Sequence, residues 1–152
     1  MIFIEKIENL SPDIAEPTVE MAAAEALRHQ AVPEGADLTI VLTDDAQLHG
    51  LNKEYLHVDA PTDVLSFPSD QTDPETGARY LGDILISVER AAAQAAAVGH
   101  DTTAEVQLLI IHGVLHLLGH DHAEPEEKAR MWQAQAEILA KLGLGNLEIR
   151  ED

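Results

Sequence analysis

The sequence predicts an α+β domain in which about four strands form one sheet that is packed by about five helices. Two observations support this fold class. Short runs of β-forming residues alternate with helical periodicities in the first half of the chain, and the last three predicted elements are all helices. The 152 residues contain no internal repeat and no linker, so we expect residues 1–152 to form a single domain.

The elements of the first half follow from local propensity and from capping residues. β-branched and aromatic residues begin the first strand. A proline opens the first helix because its fixed φ and its missing N–H suit a first turn, and a Thr-Asp pair can cap the second helix. The predicted elements are a strand over 2–8, a helix from Pro17 to about Ala31, a strand over 37–43 and a helix from Thr43 or Asp44 to about Tyr55.

The second half is predicted from turn signals, caps and helix-ending glycines. Its elements are a strand over 62–67 closed by Pro68, a loop over 69–80, a strand over 81–87, a helix from Ser87 to Gly99, a helix from a capping box at 102–105 to about Leu118, and a helix from Pro125 to Gly143 that buries Met131, Ala134, Ile138 and Leu142. We expect the tail, residues 144–152, to be frayed, because chain ends order poorly unless they are tied down.

Residues 112–122, His-Gly-Val-Leu-His-Leu-Leu-Gly-His-Asp-His, are the most informative segment. His112 and His116 are four residues apart and share one helix face. Gly119 can take the left-handed conformation that ends a helix, so the chain turns back and His122 can reach the same point. Three imidazoles that leave a coordination position open are typical of catalytic zinc. We therefore expect one Zn²⁺ on His112, His116 and His122.

His120 competes with His122 as the third ligand. If the helix continued, positions 112 and 120 would be about 12 Å apart along its axis, whereas a zinc–nitrogen bond is about 2.1 Å long. His122 is the better candidate, and His120 is either a proton shuttle or polar surface. A structural role for the histidines is the alternative, but a buried unpaired imidazole in the apolar stretch Leu108 to Leu118 costs a few kcal/mol.

Composition excludes several classes of protein. The chain has no cysteine, which removes disulfides, thiolate zinc sites and cysteine nucleophiles. The formal net charge of −19 argues against a broad grip on nucleic acid, DNA included, and its acidic residues are read as a solvated surface. The first residues lack the apolar region of a signal peptide, and no apolar run approaches about 18 residues. We expect a cytoplasmic protein that does not enter a membrane.

The histidine spacing also matches the metzincin proteases, but one residue differs. Those enzymes carry a glutamate general base directly after the first histidine, where this chain has Gly113. A glycine cannot accept a proton, so the usual protease mechanism lacks its base. Zinc-bound water with a pKa of about 7 leaves hydrolysis of a phosphodiester, an amide or a small ester as the expected reaction class.

Together with two further segments, this motif resembles the YbeY family, the bacterial single-strand-specific endoribonucleases of ribosomal RNA maturation. The segments are Leu51-Asn52-x-x-Tyr55 followed by Asp59-Ala60-Pro61-Thr62-Asp63-Val64-Leu65-Ser66-Phe67-Pro68, and Leu81-Gly82-Asp83-Ile84. The resemblance covers about residues 40–142. It implies an α+β metallohydrolase domain with zinc on His112, His116 and His122.

The resemblance also implies a function and partners. The function is 3′-end processing of small-subunit (16S) ribosomal RNA and ribosome quality control. The partners are ribosomal RNA, ribosomal proteins and an assembly GTPase.

One position departs from the family pattern. Relatives usually carry an arginine directly after the tyrosine, where this chain has Leu56. A guanidinium clamps phosphate oxygens, and leucine cannot. Lys53 could substitute as a point charge, and His57 could donate a hydrogen bond.

Further candidate catalytic residues are weaker. Asp63 and Ser66 flank the predicted site strand and either position water or cap the strand end. Asp121 is expected to orient a ligand imidazole, and Asp83 is a turn residue or a support for the ligands. Three functions compete: a zinc-dependent endoribonuclease, a partner-dependent ribosome assembly factor with weak or no cleavage, and a metallopeptidase.

Overall fold

The computed structural model describes residues 1–147 and 149, and it confirms the predicted fold class with one four-stranded mixed sheet and five helices in these residues. The strands are β1 (Ile2–Lys6), β2 (Ala36–Thr43), β3 (Val64–Pro68) and β4 (Arg79–Ser87). The helices are α1 (Glu16–His29), α2 (Asp45–Leu56), α3 (Val88–Val98), α4 (Thr102–Leu117) and α5 (Pro125–Lys141).

The sheet has the strand order β1-β2-β4-β3. β1, β2 and β4 run parallel, and α1 supplies the crossover that joins β1 to its parallel neighbour β2. β3 is an edge strand that pairs antiparallel with β4. This edge strand and β4 both contact α4, the helix of the histidine motif.

Apolar residues pack on both faces of the sheet because successive strand residues point in opposite directions. Ile84 and Ile86 of β4 lie in the main core with side chains of α1, α4 and α5. Leu85 points the other way and packs with Leu65 of β3 and Leu48 of α2. Helices therefore cover both sides of the sheet, and the main core lies between the sheet and α4.

α4 is buried over most of its surface, and it approaches the sheet most closely at Gly113. A Cβ atom at Gly113 would lie 2.7 Å from Cγ2 of Ile84. The residue after the first histidine thus faces β4, so a glutamate has no room there.

Although α4 is apolar, none of the helices in the described ranges combines the length and hydropathy that a membrane crossing requires.

The predicted caps of three helices are confirmed. Asp44 accepts a hydrogen bond from the backbone N–H of Gln47 at 2.9 Å and begins α2. Ser87 does the same for Arg90 at 3.2 Å and begins α3. Gly119 has φ +99° directly after α4, as its predicted helix-ending role requires.

The predicted capping box at 102–105 is wrong. Asp101 is the N-cap of α4, and its side chain makes no capping hydrogen bond within the described residues. Glu105 is 1% exposed, and its Oε1 lies 3.1 Å from Nε2 of His100. The carboxylate finds its partner in a neighbouring side chain rather than in the backbone of the first turn.

Several element ends differ from the prediction by about two residues. β1 ends at Lys6, and β3 spans 64–68 instead of 62–67. β4 begins at Arg79 because its N–H donates to the Gly35 carbonyl and because it bridges to Thr72. Such pairings join distant segments, and local propensity does not record them.

The prediction of a frayed tail is wrong for the residues that can be checked. Leu144, Leu147 and Ile149 are partly buried against the main core. The N–H of Leu144 donates to the Leu139 carbonyl at 2.8 Å and directs the chain back onto α5. Residues 148 and 150–152 lie outside the described part of the chain.

We expect Gly113→Ala to destabilise the protein by about 1–3 kcal/mol, because the added methyl overpacks against Ile84. Urea unfolding measures the change. Gly50→Ala is the matched control, since Gly50 lies within α2 and has nothing within 4 Å of a built Cβ. That change should stabilise the protein by up to about 1 kcal/mol through helix propensity. Equal effects of the two variants would contradict the close approach of α4 to β4.

Candidate metal centre

The structure brings the three predicted ligands together. One nitrogen from each of His112, His116 and His122 lies within 4.8 Å of the other two. The Nε2 atoms of His112 and His116 are 3.0 Å apart. A tetrahedral ion with zinc–nitrogen bonds of about 2.1 Å would separate two such atoms by about 3.4 Å. The group therefore fits a metal ion with small side-chain movements.

Each ligand is placed by a feature of the local sequence. The four-residue spacing stacks His112 and His116 on one face of α4. After the helix the N–H of His120 donates to the Leu115 carbonyl at 2.9 Å, which reverses the chain at Gly119. The reversal brings the ring centroid of His122 to 5.4 Å from that of His116.

His120 lies apart from the three-histidine group. Its Nε2 is 2.8 Å from Oε1 of Gln30, across the molecule in the C-cap of α1. With Asp121 and Arg130 it lines a second, smaller cavity. Burial, the largest cause, lowers the pKa of His120. The choice of His122 over His120 agrees with this geometry.

Gln135 of α5 orients His112. The side chain is fully buried, and its Oε1 lies 2.9 Å from Nδ1 of His112. An amide oxygen only accepts hydrogen bonds, so Nδ1 carries the proton and Nε2 keeps its lone pair towards His116. Metal-ligating histidines usually have such a partner on the second nitrogen.

The other amide atom of Gln135 strengthens this interpretation. Its Nε2 is buried and has no hydrogen-bond partner within the described residues. A buried unsatisfied donor costs about 1–3 kcal/mol. The contact of Gln135 to His112 explains why a glutamine occupies this position in spite of that cost. Gln135 was not predicted as a site residue from the sequence. A polar residue on the apolar face of α5, four residues after Met131, could have indicated a buried polar contact.

Asp121, the residue predicted to orient an imidazole, contacts the backbone of the third ligand. Its Oδ1 accepts a hydrogen bond from the backbone N–H of His122 at 2.7 Å. It therefore shapes the turn that presents the third ligand.

The lowered pKa of His116 favours metal binding. Burial, and then repulsion from His122, lowers the pKa of His116 below its ordinary value. The ring is therefore neutral at pH 7, and a neutral imidazole offers the lone pair that a metal needs.

The three histidines open onto a cavity of about 360 Å³ between β3, α4 and α5. Asp63 and Ser66 line it. Asp63 is 4% exposed, and its Oδ2 accepts a hydrogen bond from Gln94 at 3.3 Å. The Ser66 hydroxyl donates to the Gly113 carbonyl at 3.3 Å and so connects the edge strand to α4.

Lys53 and His57 do not line this cavity. Lys53 is exposed, with Nζ 4.0 Å from Oδ2 of Asp59. His57 is the exposed residue that ends α2, with φ +60°. Leu56, between them, does border the cavity although it is 54% exposed.

Besides Gln135, two further residues that line the cavity were not predicted from the sequence. Glu105, assigned above to a capping box, lies seven residues before His112 and borders the cavity on the same helix face. Trp132 of α5 also borders it, with its ring centroid 5.6 Å from that of His122 and 6.2 Å from that of His112.

An α+β fold in which three histidines that could hold a metal ion open onto a cavity is an arrangement typical of metallohydrolases. The chain belongs to the family described as Endoribonuclease YbeY, whose model matches residues 4–143. This membership makes the protein a hydrolase of the nuclease class.

Relatives agree over most of the chain. The chain is 49% identical over 132 residues to Endoribonuclease YbeY of Chloroflexus aurantiacus, which covers 83% of this chain and 86% of the relative. It is 48% identical over 131 residues to Endoribonuclease YbeY of Roseiflexus castenholzii, with 83% and 82% covered. The solution structure of TM1509 from Thermotoga maritima matches with a TM-score of 0.61 and 20% identity over 99% of this chain and 97% of that one, which supports the fold.

We expect His122→Ala to abolish stoichiometric metal binding, because only two imidazoles remain within reach of the ion. His120→Ala is the control, since that ring contacts Gln30 instead. Elemental analysis of the purified variants, with circular dichroism to verify folding, decides whether His122 or His120 is the third ligand. Metal loss in His120→Ala but not in His122→Ala would reverse the assignment of the third ligand.

Gln135→Met should weaken metal affinity by about 10–100-fold, because the Nδ1 proton of His112 loses its acceptor. Gln135→Glu retains an acceptor at that position and should bind the metal at least as well as the wild type. Competition against a chromophoric chelator gives both affinities. Unchanged affinity in Gln135→Met would mean that packing alone holds His112.

Proposed function

We propose that the protein is a zinc-dependent endoribonuclease that cleaves single-stranded RNA. The observation that supports this most strongly is the open three-histidine group at a cavity in a chain of the YbeY endoribonuclease family. We further propose that its substrate is 16S ribosomal RNA at its 3′ end, that it acts in ribosome quality control, and that it works in the cytoplasm.

Zinc is the proposed metal because of the donor set. Three neutral imidazoles with no thiolate and an open position are typical of catalytic zinc sites. A bound zinc ion would polarise a phosphoryl oxygen and lower the pKa of a coordinated water to about 7.

The chain's own residues would position the reacting groups. His112 is held by Gln135, and Asp121 holds the turn that presents His122. Asp63 and Ser66 also line the cavity, where we propose that they position water or the RNA phosphate.

Contacts to RNA beyond the metal are proposed at the end of α2. Lys53 and His57 are exposed near the cavity-lining Leu56, and they are candidates to contact phosphates in place of the arginine that relatives usually carry. Each contact would be worth little on its own, because exposed charges are screened by salt.

A partner-dependent ribosome assembly factor is the second candidate function. The net charge of −19 and the exposed Leu56 weaken a direct grip on RNA. An acidic surface is complementary to basic ribosomal proteins, which we propose as partners together with an assembly GTPase. A metallopeptidase is disfavoured, because Gly113 faces Ile84 and leaves no room for the glutamate base.

The decisive experiment measures zinc content and cleavage of a single-stranded RNA on the same preparations of wild type and His116→Ala. The variant should lose zinc and cleave at least about 100-fold more slowly, with a native circular dichroism spectrum. His29, a partly buried histidine on α1 whose Nε2 lies 3.4 Å from Oε1 of Glu137, supplies the control, and His29→Ala should keep both properties.

The other outcomes separate the alternatives. Wild type with full zinc but without cleavage would favour the assembly factor. Unfolding on chelation would make the metal structural. Cleavage of peptides but not of RNA would establish the peptidase.

A further inference from the structure

We propose that Trp132 and Lys128 form a nucleotide-binding subsite beside the metal centre. The indole of Trp132 would stack on an unpaired nucleobase, and the ammonium group of Lys128 would contact an adjacent phosphate. The inference rests on the proposed cleavage of RNA, and it names the part of the cavity that holds the nucleotide next to the scissile bond.

The position of Trp132 supports the stacking role. It is the only tryptophan of the chain, it is partly exposed, and it borders the cavity. Its ring lies 5.6 Å from His122 and 6.2 Å from His112, measured between centroids. A phosphodiester held at the histidines therefore brings one of its own nucleosides to the indole.

The burial pattern of α5 shows that Trp132 is not simply a core residue. The helix buries Met131, Ala134, Gln135, Ile138 and Leu139. Trp132 lies at the border of this face, with part of a large apolar ring open to solvent. Solvent-accessible aromatic rings are the surfaces on which single-stranded bases stack, whereas bases in a duplex are not free to do so.

Lys128 places a positive charge beside the indole, whereas the described residues that line the cavity include no lysine or arginine. It precedes Trp132 by four residues, so the two side chains share one helix face. Its Nζ lies 5.4 Å from the centre of the indole ring, and this cation–π contact holds the ammonium beside the indole. In a chain with 9 basic and 28 acidic residues, such a cation favours a phosphate in that place.

A nucleotide fits this pair better than a peptide segment does. A nucleotide presents a flat π face and an anionic phosphate a few ångströms apart, which matches an indole with an adjacent ammonium. A peptide would satisfy both groups only with a specific aromatic and acidic sequence. The proposed occupant is therefore a single nucleotide of an unpaired RNA strand.

The first test uses the fluorescence of Trp132, which reports on this subsite alone because the chain has no second tryptophan. The zinc-loaded protein is titrated with adenosine 5′-monophosphate, which has no internucleotide bond to cleave. We expect saturable quenching, and no quenching by ribose 5-phosphate, which lacks the base. Absence of quenching by the mononucleotide would overturn the stacking role, whether or not the protein cleaves RNA.

The second test compares kinetic constants for a single-stranded RNA. Trp132→Leu should raise KM about 5–150-fold, because stacking contributes about 1–3 kcal/mol per base and about 1.4 kcal/mol corresponds to a factor of ten. Zinc content and kcat should change little, and Trp132→Phe should restore most of the affinity. A wild-type KM in Trp132→Leu, or loss of zinc in that variant, would overturn the subsite.

Lys128 is tested by a matched pair of variants on one helix. Lys128→Gln should raise KM and weaken its dependence on salt. Lys141→Gln removes the same charge about 20 Å away along α5 and should change neither. Identical behaviour of the two variants would exclude the phosphate contact. If the wild type cleaves RNA in the same assays, identical behaviour of the two variants contradicts the subsite and not the proposed function. If zinc-loaded wild type cleaves no RNA, the proposed function itself is contradicted.

Discussion

The close packing of α4 against the sheet is the constraint on which the rest of the structure depends. This helix lies in the main core and still carries two imidazoles, and the absence of a side chain at Gly113 lets it lie against Ile84. With the helix fixed in this way, the Nε2 atoms of His112 and His116 lie 3.0 Å apart on one helix face. The following turn and α5 then supply the third ligand and the hydrogen-bond acceptor for the first.

Local sequence was sufficient for the features that depend on nearby residues. The four-residue histidine spacing, the helix end at Gly119 and the caps Asp44 and Ser87 are encoded within a few positions, and the structure confirms them. Gln135 escaped prediction because its role depends on how α5 packs against α4, 23 residues away in the chain. The strand order likewise depends on long-range pairing that no local pattern records.

The charge of the protein and the chemistry of its cavity point to recognition over a short distance. A surface with a net charge of −19 repels a long polyanion, so affinity for RNA must come from a few groups close to the metal. The cavity walls offer an indole, apolar side chains and hydrogen-bonding groups. Such a cavity is suited to a strand that enters it one nucleotide at a time, and under the proposed function basic partner proteins would help to deliver that strand.

Gly113 also has an evolutionary consequence. A chain with this histidine spacing differs from a metzincin-like protease by one residue in the motif, yet the two activities are not one mutation apart. A glutamate at Gly113 would first require Ile84 and the strand beneath it to give way, which would destabilise the fold through overpacking. The packing of one helix on one strand thus isolates this lineage from peptide hydrolysis more firmly than the chemistry of its metal site does.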